Sequence, residues 1–470
     1  METLQRTANR GSVSTGYDVA NSVKLQTSGV NSEFFNYTIS SAGSRTTGTV
    51  SMWIKRTTLG VLQYLWEQGD TDNDNGRLFA RFGTDDTLRV AGGSTVFLNT
   101  NRVFRDTSAW YHIVVAIDTT SGTADNRARI YVNGVEETSF STRNNFSQND
   151  NTGTNFEKQF IGLSIADESS FQSFSGYMAE VVFQDGVASA PTEFGEFDSV
   201  SGIWIPKDAS GATMGTNGAY LKFENAASMG AATAGHGFSV QNINQGDQAT
   251  DTPTNNFCTW NSLWAYAYPL TITQGATLLE GSQNQWQGAK ATFGLQNGRW
   301  YWEVQAGSQA NSGFFGIQTE GESNIGSGNA QTHNSTYCRK TDGNDIFTVG
   351  GSESTSNHGG GNMGNDDILG IFLDLESSTK TLRWFRNGSS YGSTINLASV
   401  STSFTTREVF PFHAMYGSAT TNQYNFGGYR TYTISSAVAD SNGYGAFEYT
   451  PNDGTYDYYS INTKNLAEFG

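Results

Sequence analysis

Residues 110–134 read WYHIVVAIDTTSGTADNRARIYVNG, and residues 367–388 read DILGIFLDLESSTKTLRWFRNG. Each stretch opens as a short apolar strand that ends near an aspartate, Asp118 in the first and Asp374 in the second. Each crosses a polar loop rich in Ser and Thr, returns with basic and apolar residues alternating, and stops at Asn-Gly. Side chains alternate along a strand, so Tyr111, Ile113, Val115 and Ile117 share one face, and Ile130 and Val132 share one on the return. In the second stretch Leu369, Ile371, Leu373 and Leu375 share a face, as do Leu382 and Trp384. This pattern predicts a two-stranded antiparallel unit with one face buried and the other wet or half-covered. Asn133-Gly134 and Asn387-Gly388 read as turn chemistry. A unit used twice predicts two sandwiches rather than one large fold.

Composition agrees. At 470 residues the chain has room for roughly two to four domains. Aromatic residues make up 13%, charged residues only 15%, and glycine occurs 54 times, which favours an all-β, turn-rich chain. Such a length supplies enough core without a disulfide framework. Cys258 and Cys338 stand in NNFCTW and STYCRK, without metal or redox spacing, and read as free structural thiols. A net charge of −17 argues against nucleic acid or an anionic membrane as partner. The first residues, METLQRTANRGSVSTGYD, have no apolar core, so no secretory signal is expected, and no apolar run is long enough to span a membrane.

Taken in order, residues 1–20 are polar with little to bury and read either as a disordered end or, by a small margin, as an arm that orders against a partner. Residues 21–228 read as strands separated by turns, with strands at 23–25, 49–57, 61–69, 77–82, 87–92, 159–164 and 174–186 around the first hairpin. Residues 191–200 hold one short helical turn. Residues 229–267 lose the strand rhythm and read as a linker packed along a domain surface by Phe238, Phe257 and Trp260. Residues 268–440 form a second sandwich, and residues 441–470 an irregular tail.

Two resemblances follow from these strings. SMWIKR (51–56), DTSAWYHIVVAID (106–118), RARIYVNG (127–134) and FSGYMAEVVFQDG (174–186) resemble the concanavalin A-like, laminin-G-like jelly-roll family. GRWYWEVQAG (298–307), SGFFGIQ (312–318), DDILGIFLDLES (366–377), TLRWFRNG (381–388) and VFPFHAMYG (409–417) follow the motif order of SPRY, or B30.2-like, domains. These resemblances imply two concanavalin A-like antiparallel sandwiches in tandem, with ligands bound through loops. In addition, DTPTNNFCTWN (251–261) and INTKNLAEFG (461–470) resemble segments of structural proteins of tailed marine bacteriophages, which also join a laminin-G-like to a SPRY-like sandwich.

Candidate chemistry is sparse. A jelly-roll glucanase needs carboxylates flanking one bond. Here the nearest string is Glu196-Phe197-Asp198, with no third carboxylate, while Glu180, Glu303 and Asp374 stand alone on their strands. Asp70, Asp72 and Asp74 offer oxygen ligands at alternate positions of a loop and would suit Ca²⁺. The glycine and glutamate positions of a calcium loop are not matched, and the stretch reads first as a solvated hairpin loop. The histidines form no triad, and His112 and His413 read as packing residues. Trp286, Tyr337 and Tyr391 lie in polar text of the SPRY-like domain, where aromatic faces beside amides suit sugars or protein surfaces.

The sequence therefore predicts a non-enzymatic, surface-located virion protein of tail fibre or spike type. It would bind host surface glycan or protein and contact other virion proteins as a homo-oligomer, a trimer in the fibre setting, with no cofactor, nucleic acid or membrane insertion. A capsid decoration protein and a polysaccharide depolymerase are the competing readings.

Overall fold

The computed structural model describes residues 16–27, 31–70, 76–164, 172–264, 268–307, 313–319, 336–340, 344–349, 352–357, 359–451 and 456–470. The chain is all-β and forms two compact units, Gly11–Asn255 and Asn256–Gly470. Among the described residues the longest helix is Thr463–Phe469, and none is long and apolar enough to cross a membrane.

The first unit is a sandwich of two antiparallel sheets. One sheet runs in the order Val135–Glu136, Ala128–Val132, Tyr111–Asp118, Thr47–Arg56, Gly176–Asp185, Ser22–Leu25 and Gln248–Ala249. The other runs Phe140–Arg143, Thr95–Val103, Thr87–Gly92, Arg77–Phe82, Gln63–Gly69, Lys158–Ile161, Phe34–Thr38 and Ser239–Gln241. The first hairpin has the expected register, with Ile113 opposite Val132 and Val115 opposite Ile130. All four enter one core with Val23, Ile54, Trp66, Phe82 and Met178.

The second unit curls a single large antiparallel sheet around its core. At its centre Arg299–Ala306 lies between Ile368–Asp374 and the long strand Val409–Asn425. In the second hairpin Leu373 faces Leu382 and Ile371 faces Trp384, and all four are core residues beside Trp260, Trp300 and Trp302.

The second face of each hairpin is not wet, and here the expectation is corrected. Val114, Ala116 and Tyr131 are covered by Phe194, Met214 and Tyr220. Phe372 and Phe385 are covered by Phe447 and Tyr458, together with Tyr301. Both faces carry apolar side chains, so each strand is buried on both sides by a segment returning over the sheet. In the second unit that cover is the stretch expected as an irregular tail. The interval 229–267 is divided between the units. Ser239–Gln241 and Gln248–Ala249 add strands to the first, and Trp260 fills the core of the second. The single helical turn expected near residue 191 is Pro191–Glu193.

The two Asn-Gly turns repeat one arrangement. Asn133 and Asn387 both have φ of 48°, followed by Gly134 at 78° and Gly388 at 77°. Each asparagine Oδ1 accepts a hydrogen bond at 2.8 Å from the backbone N–H that starts its hairpin, His112 or Ile368. An aromatic ring covers each glycine. A Cβ on Gly134 would fall 2.2 Å from Trp204, and one on Gly388 2.8 Å from Tyr449. Gly134→Ala is expected to destabilise the first unit by about 2 kcal/mol or more, combining left-handed backbone strain with overpacking. A urea titration of the full chain would show this as a lower midpoint. An unchanged midpoint would mean that Trp204 is free to move aside.

Candidate functional site

The outer face of the second sheet gathers aromatic side chains. Along Val409–Asn425, alternation sends His413 and Met415 toward the core side and Phe412, Ala414 and Tyr416 to the other. Phe412 and Ala414 pack there with Phe314 and Cys338, and Trp264 and Trp286 lie against them. The neighbouring strand Leu278–Lys290 carries Trp286 opposite Tyr416 and Gln283 opposite Gly417. Asn284 and Gln285 are therefore extra residues, and the strand bulges outward there.

This bulge is held from beneath. Gln287 is buried, and its Oε1 accepts from the Ser282 backbone N–H at 3.0 Å and hydroxyl at 2.9 Å. Its Nε2 donates to the carbonyls of Gln283 at 3.0 Å and Gly417 at 3.1 Å. One amide side chain thus satisfies both strands across the irregularity. The bulge re-aims Trp286, whose ring centroid lies 4.8 Å from Phe314 and 5.7 Å from Tyr416. Tyr416 is 46% exposed, Trp286 is partly exposed, and Ser282 to Gln285 are exposed. On the same face Trp264 stands edge-on to Phe412 at 6.1 Å, with the Lys290 ammonium 5.5 Å from its ring. The result is a fixed aromatic platform rimmed by side-chain amides. Such a surface can stack on the apolar face of a sugar ring or an aromatic residue while amides take hydroxyls or peptide groups.

Of the three aromatics named from sequence, only Trp286 lies here. Tyr337 is not in a loop but on the strand Thr336–Lys340, buried, with its hydroxyl donating to Asp345 at 2.9 Å. Tyr391 is buried as well, under the Arg339 guanidinium, and donates to the Gly361 carbonyl. Both rings close the core, because apolar neighbours on each side take them in. Tyr416 and the amide bulge were missed. The alternation in VFPFHAMYG could have placed Tyr416, but a bulge leaves no periodic signal.

The carboxylates fall apart from one another. Glu196 and Asp198 are not outside the strands altogether: Glu196 belongs to the short strand Gly195–Phe197 and is exposed, while the partly exposed Asp198 accepts at Oδ1 from the Ser201 backbone N–H at 2.6 Å and hydroxyl at 2.7 Å. Glu180 sits at a bulge with φ of 51° and accepts from the hydroxyls of Tyr17, at 3.1 Å, and Tyr220. Burial pushes its carboxyl up to about 7, with Asp208 adding and Tyr220, Lys222 and Tyr17 opposing. Glu303 is buried and accepts from Tyr301, Tyr432 and two backbone N–H groups. His112 accepts from Trp204 Nε1 at 2.9 Å and bonds Ser51 at 2.9 Å, while burial pulls its pKa down to about 3. It packs as a neutral ring, and the same shift marks His413. Of the proposed calcium loop, Asp72 and Asp74 lie outside the described residues, and the Asp70 backbone N–H donates to Gly76 at 3.4 Å. Among the described residues no group of three or more His, Cys, Asp or Glu is placed to hold a metal ion. Cys258 and Cys338 are buried and are not joined in a disulfide.

Residues 256–258 meet residues 461–463 in space. Cys258 N–H donates to the Ile461 carbonyl at 2.9 Å, and the backbone N–H of Asn256 donates to the Thr463 hydroxyl at 3.0 Å.

Residues 28–192 match the family model Laminin_G_3, the concanavalin A-like lectin/glucanases superfamily. This part of the chain is thus similar to that superfamily. No curated protein matches the chain. Among solved structures, the SPRY domain of human HERC1 is 15% identical, with 33% of this chain and 91% of that one covered and a TM-score of 0.26. A heptameric SAP-like pentraxin from Limulus polyphemus is 18% identical, covering 37% of this chain and 80% of that one, TM-score 0.27. Domains LG4-5 of the mouse laminin alpha1 chain are 8% identical, covering 88% of this chain and 90% of that one, TM-score 0.30.

Proposed function

We propose that this chain is a non-enzymatic virion protein of a tailed phage, of tail fibre or spike type, that binds a host surface glycan or protein through its second sandwich. The observation that carries the recognition reading is the Trp286–Tyr416 platform on its Gln287-braced bulge. The virion assignment rests on the resemblance of residues 251–261 and 461–470 to phage structural segments. The lectin/glucanase superfamily match of the first domain accords with a carbohydrate ligand. In this reading the protein lies on the particle surface as a homo-oligomer, trimeric in a fibre, and contacts other virion proteins. The binding role is favoured over hydrolysis because Glu180, Glu303 and Asp198 each accept hydrogen bonds from fixed donors, whereas Glu196 is exposed on an open hairpin.

The test is retention of the full chain on a glycan array and on host cells, with Trp286→Ala alongside. Removing a central aromatic anchor costs about 2 kcal/mol, so affinity should fall roughly 30-fold. Equal retention of both proteins would place recognition elsewhere. Release of reducing ends from host polysaccharide would favour the depolymerase, and labelling of heads rather than tails by antibody would favour decoration.

A further inference from the structure

Lys24 lies on the strand Ser22–Leu25, on the face opposite Val23 and Leu25, which enter the core. Its side chain is nevertheless buried, only 1% exposed. Its Nζ stands 2.7 Å from Glu33 Oε1, 2.9 Å from Glu33 Oε2 and 2.8 Å from Asp247 Oδ1. Both carboxyls are buried as well. Glu33 is fixed by its backbone N–H, which donates to the Gln26 carbonyl at 3.1 Å. Asp247 ends the turn Gln245–Asp247, where its Oδ2 accepts the Asn244 backbone N–H at 2.8 Å. An amine is thus in contact with one oxygen of a carboxyl whose other oxygen already has an N–H donor. A second carboxyl touches the same amine.

Two carboxylates around one ammonium form a buried cluster that is expensive to keep charged. Burial, opposed by Lys24 and reinforced by Asp247, pushes the Glu33 carboxyl up to about 7, so near neutrality it both takes and gives a proton. Reaction between Lys24 and Asp247 would remove one positive and one negative charge from a site with little water.

We propose that Lys24 and Asp247 condense to an intramolecular isopeptide bond in the folded first unit, with Glu33 as proton carrier. Glu33 takes a proton from the Lys24 ammonium. The freed Nζ lone pair attacks Asp247 Cγ as Glu33 returns that proton to Oδ1. Charge building on Oδ2 is met by the Asn244 N–H. Glu33 then takes a second proton from Nζ and passes it to the Oδ1 hydroxyl, the Cγ–Oδ1 bond breaks, and water leaves. An ammonium and a carboxylate become one neutral amide and one water. Glu33 ends as it began, and nothing is oxidised or reduced. Holding the reactants together supplies the entropy such a step otherwise lacks.

The first unit contains its own control. Lys55 and Asp251 are equally buried and 2.7 Å apart, and the Asp251 Oδ1 likewise accepts an N–H, from the Trp110 indole at 3.1 Å, so the comparison isolates the contribution of Glu33 at Lys24. That pair is expected to remain an ion pair.

The experiment is tryptic mapping of the denatured full chain by mass spectrometry. The wild type should yield residues 11–45, uncleaved after Lys24, joined to residues 223–290 with the loss of one water, while cleavage after Lys55 proceeds. Glu33→Gln, folded by circular dichroism, should yield the two parts unjoined. Recovery of unjoined wild-type peptides cut after Lys24 overturns the bond without reference to any variant. A joined product in Glu33→Gln overturns the role of Glu33.

Discussion

Asp251→Ala is expected to destabilise the first sandwich by about 3–5 kcal/mol, because it leaves a buried ammonium without its carboxylate. Lys55 projects from the strand Thr47–Arg56 with Nζ 2.7 Å from Asp251 Oδ2, and neither side chain is more than 1% exposed. The ammonium also lies 5.8 Å from the Tyr177 ring centroid, an attraction too small to replace an ion pair. The Trp110 indole N–H loses its acceptor in the same variant. Urea unfolding of the full chain should show the transition of residues 11–255 at lower denaturant. The paired change Lys55→Met with Asp251→Leu should recover most of the loss, since it removes the charge instead of stranding it. A double variant no more stable than Asp251→Ala would show that the carboxylate acts by something other than compensating Lys55.

Glu303→Ala is expected to loosen the C-terminal cover of the second sandwich and to cost about 3 kcal/mol or more. The Glu303 carboxyl accepts from Tyr301 Oη at 3.1 Å, Tyr432 Oη at 2.7 Å, and the backbone N–H groups of Glu448 at 2.9 Å and Tyr449 at 2.8 Å. Each donor left buried and unpaired carries a desolvation penalty of about 1–3 kcal/mol, partly relieved where water can enter. Two of the four donors belong to the segment that places Phe447 over Tyr301 and Phe372. Limited proteolysis should therefore cut between residues 430 and 460 sooner than in the wild type. Glu303→Gln, which keeps one acceptor oxygen but turns an NH₂ toward donors, should fall between the two. Unchanged proteolysis in Glu303→Ala would mean that apolar contact alone keeps the cover in place.

These two sites show where sequence reading stops. Both hairpins were legible from alternation, and their registers follow from it. The strands at residues 77–82 and 87–92 also have the expected bounds. By contrast, the strand Leu278–Lys290 was not read, because SQNQWQ breaks the apolar rhythm at the bulge that sets Trp286. Tyr337 and Tyr391 looked like loop aromatics because Ser, Gly and Asn surround them locally. Their neighbours in space, Asp345 and Arg339, come from other strands or loops. Glu303 stands alone among carboxylates on its strand, yet three of its four hydrogen-bond donors lie more than 120 residues away.

The sequence by itself determined the all-β class, the two sandwiches and the Asn-Gly turns. Strand alternation and left-handed turn preference depend only on residues within a few positions of one another. Tertiary structure decided which polar residues are enclosed and what encloses them. It set Lys24 between Glu33 and Asp247, Lys55 against Asp251, and the C-terminal segment on Glu303. The reason is that burial and charge pairing are properties of neighbours in space, and in a sandwich whose strand order departs from chain order those neighbours come from distant parts of the sequence.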